Sequence, residues 1–386
     1  MNNDNQHIPS GYKLSPLGII PEDWKVKRLG DFSRFFSGGT PKSGNPLFYN
    51  GDIPFIRSGE INKDKTELFL SQEGVDNSSA KLVEEGDILY ALYGANSGQC
   101  SLSKIQGAIN QAILCIRPKA NKYYVMSVLQ LNKEHYYNSF LQGGQGNLSG
   151  EIVSNYRLAI PPIEEQERVC NVLQLWDTAI AKQTALIEKL TLRKRGLMQQ
   201  LLTGKKRLKG FGGEWKTIEL GDALSYIQPT KYLVVSENYN NTYNTPVLTA
   251  GKTFILGYTD ETTGVFNDLP AIIFDDFTTE SKYVTFPFKA KSSAMKILKA
   301  HNSNLYFMFC AMQMIKYSIG GHERHWISKF SHLTLKVPSL EEQNAIASVL
   351  VQSDKEIEIQ KQKMARLQEQ KKGLMQVLLT GKRRIK

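Results

Sequence analysis

Cysteine is scarce in this chain. Four occur in 386 residues (Cys100, Cys115, Cys170 and Cys310), none in CxxC spacing. That excludes a disulfide framework and a thiolate zinc site, and fits a reducing cytoplasm. Histidine numbers only six, and no carboxylate or thiol cluster accompanies His322 and His325 to complete a metal site. There is no run of about 18 apolar residues, so no membrane-spanning helix is expected. The opening Met1-Asn-Asn-Asp-Asn-Gln6 is polar and lacks the apolar core of a signal peptide. Catalytic motifs are missing too. Gly251-Lys252-Thr253 looks like the end of a phosphate-binding loop, but Pro246 stands where its first glycine is required. Asn45-Pro46-Leu47-Phe48 lacks the second proline of the motif with which amino-methyltransferases hold a flipped adenine, and no glycine-rich cofactor loop accompanies it. No catalytic residue, metal or cofactor is assigned to this chain.

What the chain does have is positive charge. A formal net charge of +11 favours a polyanionic partner, most often nucleic acid, over simple solubility. The basic residues are clustered: Lys205, Lys206, Arg207 and Lys209 in one place, Lys382, Arg383, Arg384 and Lys386 in another.

Those two clusters close two copies of one segment. Glu164-Glu165-Gln166 returns as Glu341-Glu342-Gln343, and Leu201-Leu-Thr-Gly-Lys205 as Leu378-Leu-Thr-Gly-Lys382, at a constant offset of 177 residues. A solenoid repeat would run to roughly 20–50 residues; this is a duplicated module. Each copy reads as a long helix. In the first, Leu173, Trp176, Ile180, Ile187, Leu190, Leu197 and Leu201 fall at alternating three- and four-residue steps; the second repeats the phase with Leu350, Ile357, Met364, Leu367, Leu374 and Leu378. That is a coiled-coil stripe. Both stripes are interrupted at matching places, Gln183 with Gln360 and Lys194 with Lys371, as buried polar residues that fix register would be. Each helix follows proline (Pro161-Pro162, Pro338), opens with acidic residues and ends at Thr-Gly-Lys, which suits the helix dipole at both ends. About 40 residues at 1.5 Å apiece make a rod near 60 Å long, and the two stripes are expected to pack antiparallel on each other.

Before each helix lies a globular body; the two open alike, Trp24-Lys-Val-Lys-Arg-Leu-Gly-Asp31 and Trp215-Lys-Thr-Ile-Glu-Leu-Gly-Asp222, and otherwise diverge. Short apolar runs broken by Gly, Pro and Asn read as β-rich α+β folds with functional loops. The expected division is a first body over 1–160, a helix over 161–209, a second body over 210–337 and a second helix over 338–386. Loop residues are the candidates for DNA contact: Thr40 and Lys42 in Gly38-Gly-Thr-Pro-Lys42, Asn96 and Gln99 in Gly94-Ala-Asn-Ser-Gly-Gln99, and Lys252. At the helix offset, Gln145 and Asn147 of one body align with His322 and Arg324 of the other; His325 joins that set. Arg suits guanine edges, and Gln or Asn adenine edges, in the major groove.

The duplicated helix starts and ends, the two Trp-Lys…Leu-Gly-Asp openings, the Gly-Gly-Thr-Pro loop, Tyr93-Gly-Ala-Asn-Ser-Gly-Gln99 with Asn110-Gln-Ala-Ile113, and Gly321-His-Glu-Arg-His-Trp326 together resemble the DNA specificity (S) subunits of type I restriction–modification systems. The resemblance covers nearly the whole chain. It implies two target-recognition domains, each reading one half of a split, asymmetric double-stranded DNA site, with the helix pair setting the spacer. It implies a non-catalytic cytoplasmic subunit that docks two modification subunits, which methylate adenine N6, and restriction subunits that translocate and cut. S-adenosylmethionine, ATP and Mg are expected on those partners. Glu165, Gln166, Glu342 and Gln343 are the docking candidates. An enzyme with its own methyltransferase or nuclease centre, and a coiled-coil adaptor that binds only protein, are the other readings.

Overall fold

The computed structural model describes residues 8–140, 148–251, 253–315, 317 and 325–385. The chain forms an α+β fold in two compact units. One comprises residues 1–182 with 363–386, the other residues 183–362. The long helices, Ile163–Leu201 and Leu340–Leu378, are therefore not units of their own, as the expected segments 161–209 and 338–386 had them. Each gives its first half to one unit and its second half to the other.

In the first unit, strand Lys25–Arg28 pairs antiparallel with Arg157–Ile160. A four-stranded sheet follows, in the order Ser33–Ser37, Ile113–Pro118, Ile88–Ala91, Cys100–Leu102. A second sheet has the order Leu68–Leu70, Tyr49–Ile56, Gly107–Ile109, Lys81–Val83, and its middle pair is parallel. Ile88–Ala91 is buried along its whole length, as a continuous apolar run in a central strand should be. Helix Lys122–Leu131 starts where the Asn121 side chain accepts a hydrogen bond from the Tyr124 amide at 3.1 Å, an N-cap that satisfies one orphan donor. Its buried face joins Leu173 of the first long helix, Met375 and Leu378 of the second, and Leu379 just past that helix's end in one core.

The second unit repeats this plan with almost none of the sequence. Lys216–Glu219 pairs with Thr334–Val337. The four-stranded sheet runs Leu224–Ile227, Met295–Ala300, Ala271–Asp275, Ser281–Val284, and a three-stranded sheet contains the parallel pair Thr245–Leu248 with Lys289–Ala290. Asn304 caps helix Leu305–Met312, accepting from the Phe307 amide at 2.9 Å. Leu350, Ile346 and Ala347 of the second helix, Leu201 of the first and Leu202 just past its end share its core.

Within each unit the two helix segments run antiparallel. In the second, the Gln183 side-chain amide donates to the backbone and side-chain oxygens of Gln360 at 3.0 and 2.9 Å, and Lys194 meets Asp354 at 2.5 Å. In the first, Lys371 meets Asp177 at 2.5 Å. The polar interruptions of the stripes are thus paired. Of the seam residues, Leu173, Leu190, Leu350 and Ile357 are buried, and Ile180, Ile187, Leu197, Met364, Leu367 and Leu374 partly so. Both helices stop at glycine with positive φ, Gly204 at 69° and Gly381 at 71°, the left-handed turn that ends a helix.

Candidate nucleic-acid interface

The register of the first unit's four-stranded sheet brings three loops to one end. Leu114 faces Ser37 and Ile113 faces Ala91, so residues 38–42, 92–99 and 110–112 emerge side by side. Gly38 has no room for a side chain: a Cβ there would lie 1.7 Å from the Ile109 carbonyl oxygen. This close approach lets the exposed Thr40 hydroxyl donate to Gln111 Oε1 at 2.6 Å. The 93–99 loop is held by backbone bonds from Gly98 to Ala91 and from Leu92 to Ala112, and by the Ser97 hydroxyl on the Leu92 carbonyl. Asn96 and Gln99 stand on that braced loop, Gln99 exposed and Asn96 half-buried. Lys42 is exposed beyond Pro41, whose carbonyl accepts from the Tyr49 hydroxyl at 2.8 Å. Gln111 joins this group; its sequence signal was the Asn110-Gln-Ala-Ile113 motif.

A charged network supports the neighbouring loop. Glu60, almost wholly buried, takes Arg57 at 3.0 Å, and Arg57 also bonds Glu67. Burial works against ionising Glu60, but the hydrogen bonds from Arg57 and two backbone amides prevail and hold its carboxyl below the usual range. Asp87, fully buried, behaves likewise: burial opposes its charge, while Arg117, the Glu84 amide and Lys122 lower its pKa.

In the second unit the same end of the sheet carries residues 228–232, 276–280 and 291–294. Thr230, Lys231, Phe277 and Thr278 are exposed there. His325, expected at the surface, is fully buried; its amide donates to the Asp276 carbonyl and its ring packs against Tyr317. Its ring lies in the interior beside Tyr317 rather than at the surface, so the expected surface position is corrected. Gln145, Asn147, Lys252, His322 and Arg324 lie outside the described residues.

The docking candidates are corrected by their surroundings. Glu165 and Gln166 are buried, as are Glu342 and Gln343, and all four are occupied within the chain. Glu165 accepts from Trp24 Nε1 at 3.1 Å and from Arg384 at 3.0 and 2.6 Å. Glu342 takes a two-pronged contact from Arg207 at 2.6 and 2.5 Å, with the guanidinium over the Trp215 ring. Gln166 accepts from the Asn121 amide and donates to the Pro161 carbonyl; Gln343 does the same with Asn304 and Pro338. The repeated Glu-Glu-Gln is thus a clamp that fixes each helix start to its own unit. A second pair of carboxylates was missed. Asp177 holds Lys371 and the Tyr123 hydroxyl, and Asp354 holds Lys194 and the Tyr306 hydroxyl. Their signal was recurrence at the helix offset.

A family model described as the type I restriction modification DNA specificity domain matches residues 21–192 and again residues 212–369. The chain belongs to that family. The specificity subunit of the Escherichia coli type I restriction enzyme EcoR124I/EcoR124II is 43% identical over 164 residues, 41% of this chain and 40% of that one. The MjaVIII specificity subunit of Methanocaldococcus jannaschii is 26% identical over 419 aligned positions, covering 95% and 94% of the two. Two solved structures share the fold. The S subunit of the M. genitalium type I system has a TM-score of 0.58 at 14% identity, covering 92% of this chain and 96% of that one. A chain from a study of assembly and conformational transition of the type I R-M system has a TM-score of 0.54 at 15% identity, covering 94% and 99%. Each match to the specificity-domain model contains one set of sheet-end loops and one clamp carboxylate. The arginines that close the clamps, Arg207 and Arg384, fall outside both matched stretches.

Proposed function

We propose that this specificity-family chain reads a two-part, asymmetric site in double-stranded DNA, one half with each unit, and itself catalyses nothing. The observation that carries the reading is the repeated sheet frame with unlike loop ends: Thr40, Asn96, Gln99 and Gln111 in one unit, Thr230, Lys231, Phe277 and Thr278 in the other. One frame with two surfaces suits two different half-sites. The net charge of +11 supports phosphate contacts that position the protein, while loop side chains and DNA shape select sequence. The half-sites add their free energies on one molecule, so neither unit need bind tightly by itself.

On this reading two modification subunits dock on the chain, bring S-adenosylmethionine and methylate adenine N6 after taking the base out of the stack. Restriction subunits that use ATP and Mg complete the complex, in the cytoplasm. The outer faces of the long helices suit docking, since Leu175, Leu192 and Ile359 are 70%, 65% and 60% exposed there. The test is a map of methylated adenines in DNA from cells that make this chain with its modification subunit. A two-part motif with a fixed gap is the expected result; a single continuous short motif, or none, contradicts it.

A further inference from the structure

The two units differ at one buried place in a way their common fold does not require. In the first unit Leu92, Leu114 and Leu148 pack together in the core behind the sheet-end loops. Strand register and backbone bonding identify the matching positions in the second. Leu114 lies opposite Tyr90 and Ser37, as Lys296 lies opposite Phe274, one residue beyond the pairing of Ile227 with Ile297. The Leu148 amide donates to the Leu92 carbonyl, as the His325 amide donates to that of Asp276. Three leucines therefore correspond to Asp276, Lys296 and His325. These are as buried as the leucines: Asp276 and His325 are 0% exposed and Lys296 2%.

Two of the three polar side chains, Lys296 and Asp276, are connected, while the His325 ring lies against Tyr317. Lys296 Nζ donates to Gln228 Oε1 at 2.6 Å, stands 3.5 Å from Asp276 Oδ2 and lies 5.4 Å above the Tyr226 ring. Asp276 Oδ1 accepts from the Trp326 amide at 2.8 Å, and Gln228 Nε2 donates to the Ser293 carbonyl at 3.1 Å. Burying a lysine and a carboxylate is unfavourable compared with packing apolar side chains of similar size. The first unit shows that this frame accepts such side chains. What the network does, and leucines do not, is link three segments, residues 228–232, 276–280 and 325–328: Lys296 is hydrogen-bonded to Gln228 and ion-paired with Asp276, whose Oδ1 accepts from the Trp326 amide. Two of these segments present Thr230, Lys231, Phe277 and Thr278.

We propose that Gln228, Lys296 and Asp276 are positioning residues for DNA readout by the second unit, fixing the backbone from which its exposed loop side chains reach the bases. The inference rests on the functional reading above. It assigns half-site discrimination in this unit to a buried network that touches no DNA.

The test uses the full chain in complex with its modification subunits. Methylation is measured on DNA pools randomised in one half-site at a time, beside the melting temperature. In the triple variant Asp276→Leu, Lys296→Leu, His325→Leu, the protein melts close to the parent, because charges leave together and apolar packing replaces them. Discrimination between preferred and single-mismatch sequences falls about tenfold in the second unit's half-site and is unchanged in the first unit's. Gln228→Ala, which leaves the buried charges in place, gives a smaller loss in the same half-site. A folded triple variant with parental discrimination in both halves overturns the inference, as does an equal loss in both. Should the triple variant not fold, Gln228→Ala decides by the same criterion. If the parent complex itself shows no two-part site, the functional reading fails instead, so the two failures are distinguishable.

Discussion

Arg384 grips Glu165 with two guanidinium nitrogens, 3.0 and 2.6 Å from the carboxylate oxygens, across 219 residues of sequence. Trp24 Nε1 holds the same carboxylate. Glu165 is nearly inaccessible to water while Arg384 is about one-third exposed, so the arginine neutralises a charge that could not otherwise remain buried.

Removing the cation should therefore hurt more than removing the pair. Arg384→Met is expected to destabilise the first unit by about 3 kcal/mol, and adding Glu165→Gln should recover part of that loss. Arg207→Met should do the same to the second unit through Glu342. Denaturant titrations of the single and double variants measure both.

Asp87 predicts the acid limb. Its folded pKa lies below the ordinary value of 3.8, so the unfolded state takes up a proton first. The stabilisation is complete above the ordinary value and fades as pH falls through it toward the folded pKa. The melting temperature of the parent should drop steeply below about pH 4, and Asp87→Asn should flatten that drop while lowering the plateau at neutral pH.

Gly38→Ala places a methyl group within the radius of the Ile109 carbonyl oxygen, so strand or loop must shift. The expected loss is about 2–3 kcal/mol, with methylation impaired at the first unit's half-site and spared at the other's. Melting and half-site mapping of one preparation check both.

The continuity of both 39-residue helices gives a fourth expectation. Adding one turn, about four residues, at matching places in both should lengthen the unread gap in the methylated site and leave the half-sites unchanged. Sequencing of methylated DNA reads this directly.

The helices were legible because their signals are local or periodic: proline before, glycine after, an apolar stripe between. Their recurrence revealed the duplication. The Glu-Glu-Gln motif was equally visible, yet its role was not. Nothing near Glu165 in sequence points to Arg384, and an acidic first turn looks the same whether it faces solvent or a guanidinium. His325 failed for a related reason: a polar residue beside a glycine-rich stretch looks like a surface loop until Asp276 supplies the buried acceptor for its amide. The repeated sheet order of the two bodies had left almost no trace in residue identity. Strand pairing needs only apolar side chains on the correct face, which many sequences supply.

The division of each helix between two units also sets an order of events at the ribosome. Domains ordinarily fold in the order they are synthesised. Here the unit built from residues 183–362 has all its parts once residue 362 has emerged. The unit begun by the first 182 residues still awaits Lys371, Met375, Leu378 and Arg384. The part translated first is the part completed last. Until then its core, which Leu173 shares with Met375, Leu378 and Leu379, is incomplete and open to chaperones, or to misassembly with another nascent chain.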